Sequence, residues 1–525
     1  MTHITTKSND KIDIVSVGLK GLLIFTFLFI YGLLLFGSKV LTVEFIIPNC
    51  ILLIVAVIVW LLIIRFVKFR APLSMSDKTE NIWLCTVSVI ILGIQAFITY
   101  NIIFRTSWDV AAVWYGSHWA ASGDMAGIQE MSEYYSIYPN NLFLVYLFSR
   151  ILKLNMLMGS PVSNGGLLLA LVQCAVMNVS GIVLFKCAKR FVSVWASWCI
   201  YFLYVLLIDL SGWMVLPYSD GMGVIFPILF LYLYLRCKEC PKQIVKYLYV
   251  FALFVMGEIA YHIKPYTVVV LIAITAIELI EWLKRALKRT GMQWKNSTIT
   301  VLAAIVGLAC SSIVISQMTH SMGFSIDKER EMGIPHYLML GVNVDSWGGY
   351  SDEDLEFGKE LGSKELRNQA ELEEFKSRLK NMGIAGYAEL FVHKAAKNYL
   401  DGTYSWRNAE SFYEEIYPSR GRISDILRSC YYGFGELFPY HALIRQFLWI
   451  GVLAMIPFAA LTKRRLEAKE KVLMLSVLGL MLYLQIFEAQ ARYVFVFVPL
   501  FLILEFMGSI NLRKLIKQNY PQTKQ

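Results

Sequence analysis

The sequence predicts an all-α, polytopic membrane protein, and three observations carry that prediction. Of 525 residues, 57% are hydrophobic and 17% charged, where an ordinary soluble chain has about 25% charged. Mean hydropathy is +0.54. The apolar residues fall in repeated stretches of about 20, the length a helix needs to cross a hydrocarbon core about 30 Å thick. Lipid offers a spanning backbone no partners for its amides, so each such stretch is read as a helix that satisfies itself.

Apolar length and flanking charge place spans near 15–36, 44–66, 82–104, 164–186, 191–211 and 219–236, and six more near 246–262, 265–283, 297–317, 442–461, 470–488 and 493–511. Met1 to Lys11 is polar and precedes a full-length span with no small-residue cleavage site, so it is expected to be a cytoplasmic tail before a retained helix. Six basic groups set orientation: Arg65, Lys68 and Arg70; Lys186, Lys189 and Arg190; Arg236, Lys238 and Lys242; Lys284, Arg285, Lys288 and Arg289; Lys463, Arg464 and Arg465; Arg513, Lys514 and Lys517. Twelve spans with the N-terminus inside put all six on the cytoplasmic side. The net charge of +10 is thereby explained as topology, and nucleic acid is not an expected partner. Nine cysteines are scattered, and the one CxxC, Cys237 and Cys240, lacks a second pair or nearby histidines to complete a zinc site.

The apolar run from Leu142 to Leu154 is short for a span, and counting it as one would reverse the loop at 186–190, so it is expected along the outer surface as a juxtamembrane helix. Four regions follow. Residues 1–81 hold the tail and two additional helices, 82–317 a core with a first external loop at 105–163, 318–441 an extracytoplasmic helical cap, and 442–525 the last helices and a short basic tail. Within the cap, apolar residues at three and four spacing predict helices from Lys364 to Asn381 and from Ile384 to Leu400.

External loops are where function is expected. Asp109 follows the third span at the expected outer face, beside Trp108 and Trp114, where a half-desolvated carboxylate suits a general base. The competing reading makes Ser107 and Asp109 caps for a short helix. Asp124 lies fifteen residues on and, with Asp109 or Glu130, is a candidate to hold a divalent ion, which is left open. His118, His262, His336 and His441 have no ligand spacing to one another. Asp209 and Glu258 lie in or beside apolar stretches, where an unpaired charge costs about 2.5–3.5 kcal/mol on insertion scales; they either line a substrate cavity or make protonated helix contacts. Arg492 and Lys264 fall on the outer side, against the positive-inside trend. Arg492 offers a bidentate fork and Lys264 a point charge, the alternative being snorkelling to headgroups.

A span followed by SWD at 107–109, YYSIYPNN at 134–141, a short apolar helix and a span with basic termination at Ile182 to Arg190 resembles the protein O-mannosyltransferase and aminoarabinose transferase superfamily, of GT-C type. LPYSDGMGVIFP at 216–227, YHIKPYTVVV at 261–270 and EAQARYVFVFVPL at 488–500 resemble its bacterial cell-envelope members. The likeness covers residues 82–511. It implies a multi-pass enzyme of the cell membrane that moves a sugar, with inversion, from a polyprenyl-phosphate donor to an extracytoplasmic glycan, lipid or protein. Asp109 and Asp124 would be catalytic, Arg492 and Lys264 would hold the donor phosphate, and Tyr134, Tyr135, Tyr138, Asn140, Asn141, Tyr218 and Asp220 would bind substrate. Asp345, Trp347, Tyr350 and Trp406 of the cap are expected at the acceptor. No nucleotide-binding loop is needed, because the lipid phosphate is its own leaving group. A transporter or flippase of envelope precursors and a polysaccharide polymerase or ligase are the rival expectations.

Overall fold

The computed structural model describes residues 13–37, 40, 43–66, 76–159, 165–288, 294–407, 413–462 and 464–519. The tail at Met1 to Lys11 and the basic residues Lys68, Arg70, Arg289 and Lys463 lie outside the described residues. Each expected span coincides with helix. The first three are α1 (Ile14–Phe36), α2 (Asn49–Phe66) and α3 (Asp77–Ile102). The first loop folds as α4 (Trp108–Ser122), α5 (Met125–Ile137) and α6 (Leu142–Leu157). The bundle continues with α7 (Gly165–Ala188), α8 (Val194–Tyr204), the single turn α9 (Ser219–Gly223), α10 (Ile225–Glu239), α11 (Gln243–Ile263), α12 (Val269–Leu287) and α13 (Trp294–His320). The expected cap holds α14 (Ile334–Gly341), α15 (Asp352–Lys359), α16 (Lys364–Tyr399) and α17 (Arg422–Tyr431). The chain closes with α18 (Phe438–Met455), α19 (Ala468–Ile486), the short α20 (Ala491–Phe495) and α21 (Val498–Asn519). Eight helices are long and apolar enough to cross a membrane by length and composition, and Asn49–Arg65 and Val194–Asp209 are shorter apolar helices.

Polar anchors move some boundaries from where hydropathy puts them. Helix α3 starts at Asp77 because the Ser76 side chain accepts from the Thr79 amide and Glu80 pairs with Lys189 at 2.5 Å. The span expected at 191–211 is helical only to Tyr204, then widens into a π-type turn over Val205–Asp209. Arg445 donates to the carbonyls of Leu206 and Leu207, at 3.0 and 2.6 Å, and Gln95 to that of Asp209, which satisfies backbone that no longer bonds to itself. The last span begins at Val498 rather than 493, after α20.

Four of the six basic groups are tied together at one end of the bundle. Asp13, at the start of α1, turns a buried side chain to Lys284, Arg465 and Lys471, while Lys469 donates to the Arg190 carbonyl and Arg190 pairs with Glu239. The two N-terminal helices pack into this assembly rather than beside it. Tyr31 donates to the Ala454 carbonyl, Trp60 donates to Glu505 at 3.0 Å, and Gln446 donates to Asn49 at 2.9 Å.

At the other end, the two strands β1 (Phe104–Thr106) and β2 (Tyr413–Ile416) pair antiparallel and tie the exit of α3 to the later segment. Helix α4 crosses α6, which buries Phe143, Leu144, Val145, Phe148 and Leu152. Gly116 lets α5 approach, since a Cβ there would meet the Tyr135 hydroxyl at 1.9 Å. In the expected cap, Asp354 is buried against the Arg378 fork at 2.6 and 2.9 Å and against Asn343 at 2.9 Å. Burial raises this carboxyl, but Arg378 and Asn343 outweigh it and hold it below its usual range.

Candidate functional site

Five segments converge at the end of the bundle opposite the basic groups: the exits of α3 and α11, the approach to α9, the loop after α5, and the connection from α19 to α20. At the first of these Trp108 has φ +61°, a left-handed conformation that costs a non-glycine residue about 1–3 kcal/mol and marks functional sites more often than chance. That turn aims Asp109, in the first turn of α4, at two phenols. Tyr134 donates to its Oδ1 at 2.8 Å and Tyr218 to its Oδ2 at 3.3 Å. Asn141 donates to the Tyr134 oxygen at 2.9 Å and fixes the direction of that hydroxyl. Burial and the neighbouring carboxylate push the Tyr134 phenol far above its usual value, so it stays a donor. The capping alternative for this turn is not what forms: Ser107 makes no side-chain cap hydrogen bond, and Asp109 faces the phenols.

Tyr218 is held from behind. Gln173 of α7 accepts from the Tyr218 amide at 2.9 Å and donates to the carbonyls of Trp213 and Leu216, which fixes the irregular stretch before α9. The Trp108 and Tyr218 rings meet edge to face, with centroids 5.2 Å apart. On Trp108 lies the Arg492 guanidinium, 4.6 Å from the ring centroid. Its buried Nε has no hydrogen-bond partner among the described residues. Asp220 acts on Arg492 through space, but the direct ion pair of Asp220 goes to Lys264, Nζ to Oδ1 at 2.7 Å. Lys264 also donates to Ser219 at 3.1 Å and sits among the rings of Tyr218, Tyr266 and Tyr493. The two expected phosphate ligands therefore differ: Lys264 makes a direct ion pair with Asp220, and Arg492 makes none among the described residues, with Asp220 and Glu488 acting on it through space.

The buried pair has a testable consequence. Asp220 is 1% exposed, and removing one partner of a buried pair costs about 3–5 kcal/mol because a bare charge remains. Lys264→Met is expected to lower the melting temperature in detergent sharply, and Lys264→Met with Asp220→Asn to recover part of the loss.

Other expected residues are dispersed. Asp124 N-caps α5, its Oδ1 accepting from the amides of Ala126 and Gly127, and α4 holds it about 22 Å along the helix from Asp109. One of the two candidate pairings of Asp124, that with Asp109, is not formed, and no group of three metal-ligating side chains occurs among the described residues. Tyr135 is sealed in the core, donating to the Ala112 carbonyl at 2.8 Å, which leaves no surface for a substrate. Tyr138 stacks at an angle on Tyr134 within the site, and Asn140 lies half-buried on the turn Pro139–Asn141. Trp406 is 2% exposed and donates to the Tyr431 carbonyl, so it is a core residue rather than an acceptor contact, whereas Asp345 and Tyr350 are exposed and Trp347 is half-buried. His336 is buried against Glu371 at 2.9 Å, His262 pairs with Glu258 at 3.3 Å, and His441 meets the Cys430 carbonyl. Asp209 is fully buried.

Two site residues were not anticipated. Glu488 accepts from Tyr493 at 2.7 Å and acts electrostatically on Arg492, Tyr138 and Tyr337. Both Glu488 and Tyr493 belong to the EAQARYVF segment that contains Arg492, so the signal was the spacing of an acid and a phenol around that arginine.

The model of a family described as conserved hypothetical integral membrane protein matches residues 5–511. The chain belongs to that family. The match takes in α1 and α2 as well as the site. Among curated proteins no sequence matches. Among solved structures the chain is similar to AglB, an archaeal oligosaccharyltransferase from Archaeoglobus fulgidus in complex with an inhibitory peptide and a dolichol-phosphate, at 10% identity and TM-score 0.35 over 83% of this chain and 52% of that one. It spans about half the length of AglB. It is also similar to ArnT from Cupriavidus metallidurans bound to undecaprenyl phosphate, at 9% identity and TM-score 0.28 over 85% of this chain and 80% of that one.

Proposed function

We propose that this protein is a glycosyltransferase that moves a sugar from a polyprenyl-phosphate donor to an acceptor on the extracytoplasmic side. The observation that carries the reading is the pairing of a phenol-oriented carboxylate, Asp109, with a cation that makes no ion pair among the described residues, Arg492, across Trp108 and Tyr218. The acceptor hydroxyl gives its proton to Asp109 as its oxygen attacks the anomeric carbon. The bond from that carbon to the phosphate oxygen breaks, the configuration inverts, and polyprenyl phosphate leaves with its new charge beside Arg492. A carboxylate has about four lone-pair positions, so the two phenols leave Asp109 room to accept the proton. The site lies at the end of the bundle away from the basic groups, which the positive-inside tendency assigns to the cytoplasm.

The test uses purified protein in vesicles with a polyprenyl-phosphate sugar labelled in the sugar and a crude envelope extract as acceptor source. Label is expected to move into acceptor with release of polyprenyl phosphate. Translocation of intact donor across the vesicle, with no transfer, would establish the carrier reading instead.

A further inference from the structure

We infer that α16 passes through the membrane–water boundary at Gly383, so that its first half stands in water and its second half enters the lipid opposite the basic end. This placement is independent of the transferase reading. The helix is broken at Gly383, where φ is +61°. The composition changes at the same residue: nine of the eighteen side chains at 364–381 are charged, and only Glu389, Lys394 and Lys397 among the seventeen at 384–400. Lys394 is buried and Lys397 half-buried, and the one exposed charge of this half, Glu389, lies toward the break-side end. Lys394 donates to the carbonyls of Gly341, Gln485 and Phe487, and Lys397 to that of Ser346. The apolar residues that lead this half are open instead, with Ile384 92% and Tyr387 40% exposed.

Depth follows from the helices it touches. The ion cluster of Asp13, Lys284, Arg465 and Lys471 joins the start of α1 to the start of α19, and its part-exposed members place it at a polar boundary. At about 1.5 Å per residue, Phe29 of α1 stands about 24 Å above Asp13, and Met481, Leu484 and Phe487 about 15, 20 and 24 Å above Lys471. Phe391 packs on Phe29 with ring centroids 5.4 Å apart, Asn398 donates to the Leu484 carbonyl, and Tyr399 to that of Met481. Tilt of α1 or α19 would only lower these heights. Against a hydrocarbon core about 30 Å thick, residues 391–399 lie below the far boundary and descend toward Tyr399. Ile384 and Tyr387 then stand at that boundary, where an apolar side chain and a tyrosine suit acyl chains and headgroups.

The segment beyond it is non-helical backbone at depth, tolerated only when protein satisfies it. Asp401 accepts from the amides of Thr403 and Ser405, Gln446 takes the Gly402 amide, and Trp213 donates to the Tyr404 carbonyl.

The experiment compares Ala388→Cys, exposed in the second half, with Lys376→Cys, exposed in the first, in open membrane fragments whose two faces are both reachable. Each is treated with a water-soluble maleimide and labelling is read by mass spectrometry of its own peptide, which separates it from native cysteines. Ala388→Cys is expected to react at least about tenfold more slowly than Lys376→Cys, because a thiolate does not form in hydrocarbon, and to catch up in detergent. Equal rates in membranes would overturn the inference by placing residue 388 in water. Protection that persists in detergent would overturn it by placing a protein surface, such as a second copy, over this face.

Discussion

Asp109→Asn is expected to lower sugar transfer by about 10²- to 10⁴-fold, the usual contribution of a positioned general base, with polyprenyl-phosphate binding unchanged. The substitution keeps the size of the side chain and an oxygen that can accept from Tyr134 or Tyr218, so the aromatic setting is preserved. What it removes is the capacity to take a proton. The base acts only as the acceptor oxygen attacks, so the loss falls on turnover rather than on donor affinity. Single-turnover transfer and binding of labelled polyprenyl phosphate, measured on the same preparation, check the two halves separately. A variant that transfers at the parental rate would show that Asp109 orients the phenols and nothing more.

The helices were legible because lipid imposes a length and an apolarity that few other environments require, and each expected span coincides with helix, eight of them with a helix long and apolar enough to cross. The misplaced ends have local causes that hydropathy does not carry. The advance of α3 to Asp77 depends on a serine cap and on Lys189 reaching Glu80 from another helix. The late start of α21 reflects a separate turn, α20, that carries Arg492 on Trp108. Within the site, residue chemistry was visible and partnership was not. Asp109 and Asp124 look close in sequence, but one straight helix parts them. Tyr134 and Tyr135 are adjacent, yet successive residues of a helix point about 100° apart, so one meets Asp109 and the other the core. Lys264 and Asp220 pair across 44 positions because α9 and α11 lie side by side, a fact of bundle packing. Trp406 read as an exposed aromatic because long polar loops usually run over a surface; here the loop turns back into the bundle, and Trp406 stacks edge-on against Trp213.

Arg492→Gln is expected to weaken polyprenyl-phosphate binding by about 30- to 5,000-fold, the equivalent of about 2–5 kcal/mol for losing one side of a desolvated charge-assisted contact. The direct ion pair of Asp220 is made with Lys264, so losing Arg492 is expected to cost the unliganded protein less stability than losing Lys264. This separates the two cations experimentally: Lys264→Met should fail first in the melting curve, and Arg492→Gln first in the binding curve. Arg492→Lys retains the charge but loses the planar fork and the stacking of the guanidinium on Trp108, so an intermediate affinity is expected. Binding is measured by titrating purified protein with labelled polyprenyl phosphate at several salt concentrations. Because the guanidinium Nε is buried, its contact with a bound phosphate should be screened by salt much less than an exposed pair would be. Parental affinity in Arg492→Gln would move the phosphate elsewhere on this surface and leave Asp109 facing an anomeric carbon with no known anchor.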